Sequence, residues 1–159
     1  MQDLLMWLAT GLGLGHSPWA PGTVGSLLGL PLAWWLLGRP VGQRWAISLA
    51  LIVLAVPLCH LASGWLGGGD AAQIVADEWV AMPLAVLGLA AAPRLLTLAA
   101  GYLLFRLFDI TKVPPVMQVE SIGGGLGIVG DDVVAALYAA LVLAILLRPW
   151  QHLWSSDTP

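Results

Sequence analysis

Residues 45–66 read WAISLALIVLAVPLCHLASGWL, a run of 22 residues without a single Asp, Glu, Lys or Arg. At 1.5 Å per residue, a helix of that length reaches about 33 Å, enough to cross a hydrocarbon core ~30 Å thick. A strand left open in lipid would leave its backbone groups unsatisfied, so the run reads as a membrane helix. The composition around it agrees. Of 159 residues, 59% are hydrophobic and 9% charged, where a soluble domain carries roughly 25% charged. Nine acids and six bases cannot give a soluble fold of this size its polar skin, and the bilayer is the natural solvent for the remainder.

Three further apolar blocks follow the same logic. They are residues 24–37, residues 79–104 with Pro93-Arg94 inside them, and residues 133–147. The first and last are short and reach across only with flanking turns or local thinning of the bilayer. Pro57 and Pro83 lie inside blocks and mark kinks, or stretches where freed carbonyls find other partners. Trp34, Trp35, Trp45, Trp65, Trp79 and Trp150 fall near the expected helix ends, where amphipathic rings favour the interface.

The length allows one domain, residues 1–159. The net charge of −3, without a basic stripe, excludes a nucleic-acid partner. The single Cys59 excludes an internal disulfide and a cysteine-based zinc cluster. The chain opens Met-Gln-Asp with no Lys or Arg before the apolar residues, which does not read as a cleavable signal peptide.

Three polar segments, residues 11–23, 67–78 and 105–132, separate the apolar blocks. Asp70, Asp77, Glu78, Asp109, Asp131 and Asp132 lie in the second and third of them. Acids that act together must share one membrane face, so the chain must cross an even number of times between Glu78 and Phe105. Breaking the third block at Pro93-Arg94 into helices 74–92 and 95–109 meets that condition. The expected fold is therefore all-α: a small polytopic membrane helical bundle of about five helices with its site at one membrane face. The Lys/Arg distribution conflicts with a cytoplasmic site. Arg39, Arg44, Arg94 and Arg148 fall opposite the acids, and only Arg106 and Lys112 fall with them.

Three constellations carry chemistry. Asp77-Glu78 opens a helix. One acid there would satisfy the helix dipole, but two at the edge of the apolar phase are costly and point to a role. In Phe105-Arg106-Leu107-Phe108-Asp109-Ile110-Thr111-Lys112 the charged residues recur every third position and share a helix face. An exposed salt-bridge ladder of that kind contributes about 0–1 kcal/mol. A carboxylate between two cations is also what a phosphate-and-metal site requires. Gly123-Gly124-Gly125-Leu126-Gly127-Ile128-Val129-Gly130-Asp131-Asp132 reads as a glycine-rich loop whose amides approach an anion, ending in paired aspartates at the start of the last helix. Paired carboxylates beside a phosphate supply the oxygen ligands Mg²⁺ prefers. Thr23 and Ser26 precede or open another helix, where capping and phosphate contact are both open. His60 near the end of the second block reads as a satisfied polar residue more readily than as a ligand.

These segments, with Gly13-Leu14-Gly15 through Pro21-Gly22-Thr23-Val24-Gly25-Ser26 and Ile74-Val75-Ala76-Asp77-Glu78, occur in an order that resembles the phosphatidylglycerophosphatase A family of bacterial membrane lipid phosphatases. The resemblance covers nearly the whole chain. It implies Mg²⁺-dependent removal of the terminal phosphate from phosphatidylglycerophosphate, giving phosphatidylglycerol. It also implies a multi-pass protein of the bacterial inner membrane, among membrane lipids, with its site toward the cytoplasm where that substrate is made. On this reading Asp77, Glu78, Asp109, Asp131 and Asp132 bind the metal, with Asp77, Asp109, Asp131 and Asp132 catalytic. Thr23, Ser26, Arg106, Lys112, Gly124 and Gly125 hold phosphate or headgroup. The chain departs from the family's pattern at Val113, where Pro is usual, at Gly123, often His, and at Val129, often Met. An Asp common just upstream is absent, with Glu120 nearby. Histidine-nucleophile phosphatases fit poorly, because His16, His60 and His152 lack basic surroundings, and no Asp-x-Asp motif is present. The rival class is a small membrane transporter or cation-binding protein, whose acids would be spread across the membrane depth.

Overall fold

The computed structural model describes residues 1–89 and 94–148. Within them the chain is all-helical, with no strand. The helices are α1 (Gln2–Ala9), α2 (Pro21–Ser26), α3 (Gly29–Leu37), α4 (Val41–Trp65), α5 (Ala76–Ala81), α6 (Arg94–Thr111), α7 (Val116–Glu120) and α8 (Gly124–Leu147). Single 3-10 turns occupy Leu14–His16 and Met82–Ala85. α4 and α8 are long and apolar enough to cross a membrane. The described residues form eight α-helices, two of them long enough to cross, where five membrane helices were expected: the block at 24–37 breaks into pieces, and α1 and α7 lie outside the apolar blocks.

Each break has a local cause. The block at 24–37 splits into α2 and α3, with Pro21 at the first turn of α2, where its missing N–H costs nothing. The expected helix 74–92 stops after Ala81. Pro83 lacks an N–H and its ring would strike the carbonyl four residues back, so Met82–Ala85 tightens to a 3-10 turn. Met82, Ala85 and Val86 are fully buried and Leu87 nearly so. The expected hairpin bend includes residues 90–93, which lie outside the described residues; α6 begins at Arg94.

α8 is the axis of the packing and touches α4, α5, α6, α7 and the Met82–Ala85 turn. The stretch 123–130, expected as a loop, is instead the first two turns of α8. Its glycines serve close helix approach. A Cβ at Gly127 would come within 2.6 Å of the Glu120 carbonyl oxygen, and one at Gly130 within 2.7 Å of the Val119 side chain. A Cβ at Gly125 would strike the Val56 carbonyl on α4. Small residues of this kind let apolar helices pack backbone to backbone.

Apolar side chains also cover the outside. Leu49, Val53 and Leu54 on α4, Leu95, Leu96 and Leu103 on α6, and Leu137, Leu141 and Ile145 on α8 are all exposed. Trp34, Trp35, Trp45 and Trp65 are exposed near helix ends, and Arg39 and Arg94 lie over the Trp35 and Trp34 rings. Trp79 departs from this belt. It packs against the inner cluster of α4, α5 and α8, and Trp150 lies outside the described residues.

Gly127→Ala should lower stability by about 1–3 kcal/mol, because the backbone of α7 has to shift. Gly64→Ala, with open space at its Cβ, should be neutral or stabilising by about 0.5–1 kcal/mol. Denaturation curves of both variants in detergent would check the contrast.

Candidate active site

The N-terminus of α5, the C-terminal end of α6 and the third turn of α8 meet around a cavity of about 300 Å³. Asp70, Asp77, Glu78, Asp109, Asp131 and Asp132 line it together with Arg106 and Lys112. Asp77, Asp109 and the Asp131-Asp132 pair are far apart in sequence and reach the cavity through the fold. Asp77 and Asp132 are only 4% and 3% exposed.

The two paired acids are built alike. Asp77 Oδ1 accepts a hydrogen bond from the Glu78 N–H at 2.9 Å, and Asp131 Oδ1 accepts one from the Asp132 N–H at 2.9 Å. In each pair the leading acid is fixed by the backbone, and the trailing acid keeps an unpartnered buried oxygen: Glu78 Oε2 and Asp132 Oδ1. Gly22 of α2 admits the Glu78 carboxylate, since a Cβ there would collide with Oε1.

Arg106 bridges three elements. One terminal nitrogen contacts Glu78 Oε1 at 3.1 Å and also donates to Asp109. The other donates to Thr23 Oγ1 at 3.3 Å. The Thr23 carbonyl in turn accepts the Tyr102 hydroxyl at 2.8 Å. Lys112 closes α6 with φ of 48°, a left-handed conformation a bulky residue adopts only when its surroundings impose it. Its ammonium reaches Asp131, with Glu120 at 3.4 Å and Asp109 at 4.0 Å. Burial opposes the charge on Lys112, but the bond to Asp131 and the attraction of Glu120 and Asp109 outweigh it and raise its pKa above the ordinary lysine range.

Six carboxylates therefore face two cations in the cavity wall. Uncompensated buried carboxylates are costly, and the orphaned oxygens of Glu78 and Asp132 are acceptors with no donor. A hard divalent cation with oxygen ligands fits that donor set. Among the described residues, Asp70, Glu120 and Asp131 offer three oxygens within 4.8 Å of one another.

The residues expected from sequence divide as follows. Asp77, Glu78, Asp109, Asp131, Asp132, Arg106 and Lys112 come together, and Thr23 joins through Arg106. Ser26 is fully buried and donates to the Thr23 carbonyl at 3.2 Å, so it braces α2 rather than lining the cavity. Gly124 and Gly125 sit across α8 against α4. There they line a separate apolar cavity with His60, whose Nδ1 accepts the Gly125 N–H at 3.4 Å. Asp70 and Glu120 were not singled out as site residues. For Glu120 the signal was present, since it stands near a position where the family resembled carries Asp. Asp70 carried no spacing that set it apart.

Comparison with known proteins gives the family. The chain is 34% identical over 145 residues to phosphatidylglycerophosphatase A of Escherichia coli (strain K12), covering 90% of this chain and 83% of that protein. It is 39% identical over 140 residues to phosphatidylglycerophosphatase A of Haemophilus influenzae, covering 86% and 84%. No solved structure gives a significant match. A family model described as phosphatidylglycerophosphatase A matches residues 7–147. Because that match spans most of the chain and takes in every acid of the cavity, the chain belongs to the phosphatidylglycerophosphatase A family, phosphatases that act on a phosphate monoester.

Proposed function

We propose that the protein is a Mg²⁺-dependent, multi-pass enzyme of the bacterial inner membrane that removes the terminal phosphate of phosphatidylglycerophosphate to give phosphatidylglycerol, with its cavity toward the cytoplasm. The observation that carries the reading is the gathering of carboxylates from α5, α6 and α8 with Arg106 and Lys112 around one small cavity. The membrane setting rests on α4 and α8, each long enough to cross, and on the leucines they expose along their length. A water-facing surface would not carry such a contiguous apolar patch.

Glu78, Asp132 and Asp77 are the residues that would hold the metal most directly, with Asp109 and Asp131 beside them. Asp70, Glu120 and Asp131 form a second oxygen cluster on the Lys112 side. Bound Mg²⁺ would supply charge neutralisation of the phosphate and acidify a bound water. The chain's own groups do the rest. Arg106 presents a planar fork to two non-bridging phosphate oxygens, and Lys112 adds a point charge. Their carboxylate partners hold both cations in place before the substrate arrives, so little reorganisation is needed when phosphate binds. A cavity carboxylate either takes the proton of an attacking water or attacks phosphorus itself; labelled phosphate retained on acid-quenched protein marks the second route.

The transporter reading requires acids spread through the membrane depth. Here they sit at one end of α5, α6 and α8, while Arg39, Arg44, Arg94 and Arg148 belong to the other ends of α4, α6 and α8. Phosphate release from phosphatidylglycerophosphate in detergent decides between the two; cation flux in liposomes without phosphate release would overturn the enzymatic assignment.

Asp77→Asn and Asp132→Asn should each lower kcat/KM by about 10²-fold or more, on the scale of removing one preorganised charge-stabilising group, with folding intact by circular dichroism. EDTA should abolish phosphate release and added Mg²⁺ restore it, and equal rates with and without chelator would remove the metal from the mechanism. Arg106→Lys keeps the charge but loses the fork and its simultaneous contacts to Glu78, Asp109 and Thr23. It should lower kcat/KM by about tenfold or more, measured in the same phosphate-release assay.

A further inference from the structure

An apolar groove of about 520 Å³ runs between α3 and α6, lined by Leu30, Pro31 and Trp34 on one side and Leu98, Ala99 and Leu103 on the other. Among the described residues that line it, Tyr102 carries the one hydroxyl, which is tied to the Thr23 carbonyl. The Thr23 side chain accepts from Arg106, one helical turn beyond Tyr102. Thr23 itself lines neither, but its bonds to Tyr102 in the groove wall and to Arg106 in the cavity wall make it the rim between the two. From Leu95, which lines the far end, to Arg106, the α6 axis spans about 16 Å at 1.5 Å per residue. That is close to half the hydrocarbon thickness of a bilayer, about 15 Å of a ~30 Å core, and so the depth of one leaflet.

We propose that this groove seats one acyl chain of the lipid whose phosphate occupies the Arg106 and Lys112 cavity, so that lipid phosphates are favoured over water-soluble phosphate esters. The inference rests on the phosphatase reading and extends it to the tail of the substrate. A chain leaving the headgroup past Tyr102 meets a continuous apolar wall, half-sheltered by Trp34. A loosely associated bulk lipid or a neighbouring helix would gain nothing from the rim's position.

Two measurements on the full-length protein in detergent test it. The first uses a phosphatidic acid carrying a diazirine midway along one acyl chain, with labelled residues mapped by mass spectrometry. The label should fall on Trp34, Leu98 or Leu103 and be competed by unlabelled phosphatidic acid but not by diacylglycerol with the same chains. Labelling shared equally with Leu49, Val53 and Leu54 on the exposed face of α4, or insensitive to the competitor, would overturn the proposal. The second compares wild type with Ala99→Trp, which fills the groove without touching the cavity. Its KM for a long-chain lipid phosphate should rise about tenfold or more, while kcat/KM for glycerol 3-phosphate stays within about twofold. An equal loss on both substrates would count against the groove. If wild type hydrolyses neither substrate, it is the phosphatase reading that fails, and the labelling pattern still decides the groove.

Discussion

The arrangement depends on burying four carboxylates, Asp77, Asp109, Asp131 and Asp132, with Glu78 partly buried, next to two cations in a chain that has little other charge to spend. Charges so close to an apolar environment interact strongly and tolerate no loose geometry. Arg106 answers this by touching α2 and α5 as well as its own helix, and Lys112 by touching α7 and α8. The two cations are thus the cross-links between elements as well as the groups facing the cavity. The same contacts that hold the helices in register also aim the donors that a phosphate would meet.

Packing supplies the second requirement. Helices carrying these acids must come close enough for their ends to share one small cavity, and in apolar surroundings side-chain bulk rather than water exclusion sets that distance. Glycine at 22 lets Glu78 enter, and glycines at 125, 127 and 130 let α8 lie against α4 and α7. The enclosed turn after α5 does comparable work. α5 stops at Ala81 and the chain tightens into an enclosed turn at Met82–Ala85, while Asp77 and Glu78 at the start of α5 line the same cavity as Asp109.

Much of this was legible from residues alone. The uncharged run at 45–66 announced α4, and the clustering of acids at block ends announced which side chains would meet. What escaped was decided by neighbours rather than by local pattern. A helix and a loop are both compatible with Gly123 to Gly130, and it is α4 and α7 lying against that stretch that explain why glycine is needed in a helix there. Ser26 was open to capping or phosphate contact, yet its buried hydroxyl bonds back to the Thr23 carbonyl three residues earlier in α2. Glu120 was visible as a departure from a familiar pattern, but its partnership with Lys112 depends on the left-handed close of α6, which no spacing rule encodes.

The like construction of the two acid pairs has a consequence for how side-chain truncations at this centre are interpreted. Asp77 and Asp131 each anchor the main-chain amide of the residue that follows, whereas Glu78 and Asp132 leave an oxygen uncommitted. Deleting a leading acid thus loosens a stretch of main chain as well as subtracting a charge, and deleting Glu78 also frees Arg106 from α5, whereas Asp132 anchors no following amide. Neighbouring carboxylates that look redundant on paper are therefore unequal probes: of the four, Asp132 reports most nearly on chemistry, the other three on chemistry and architecture at once.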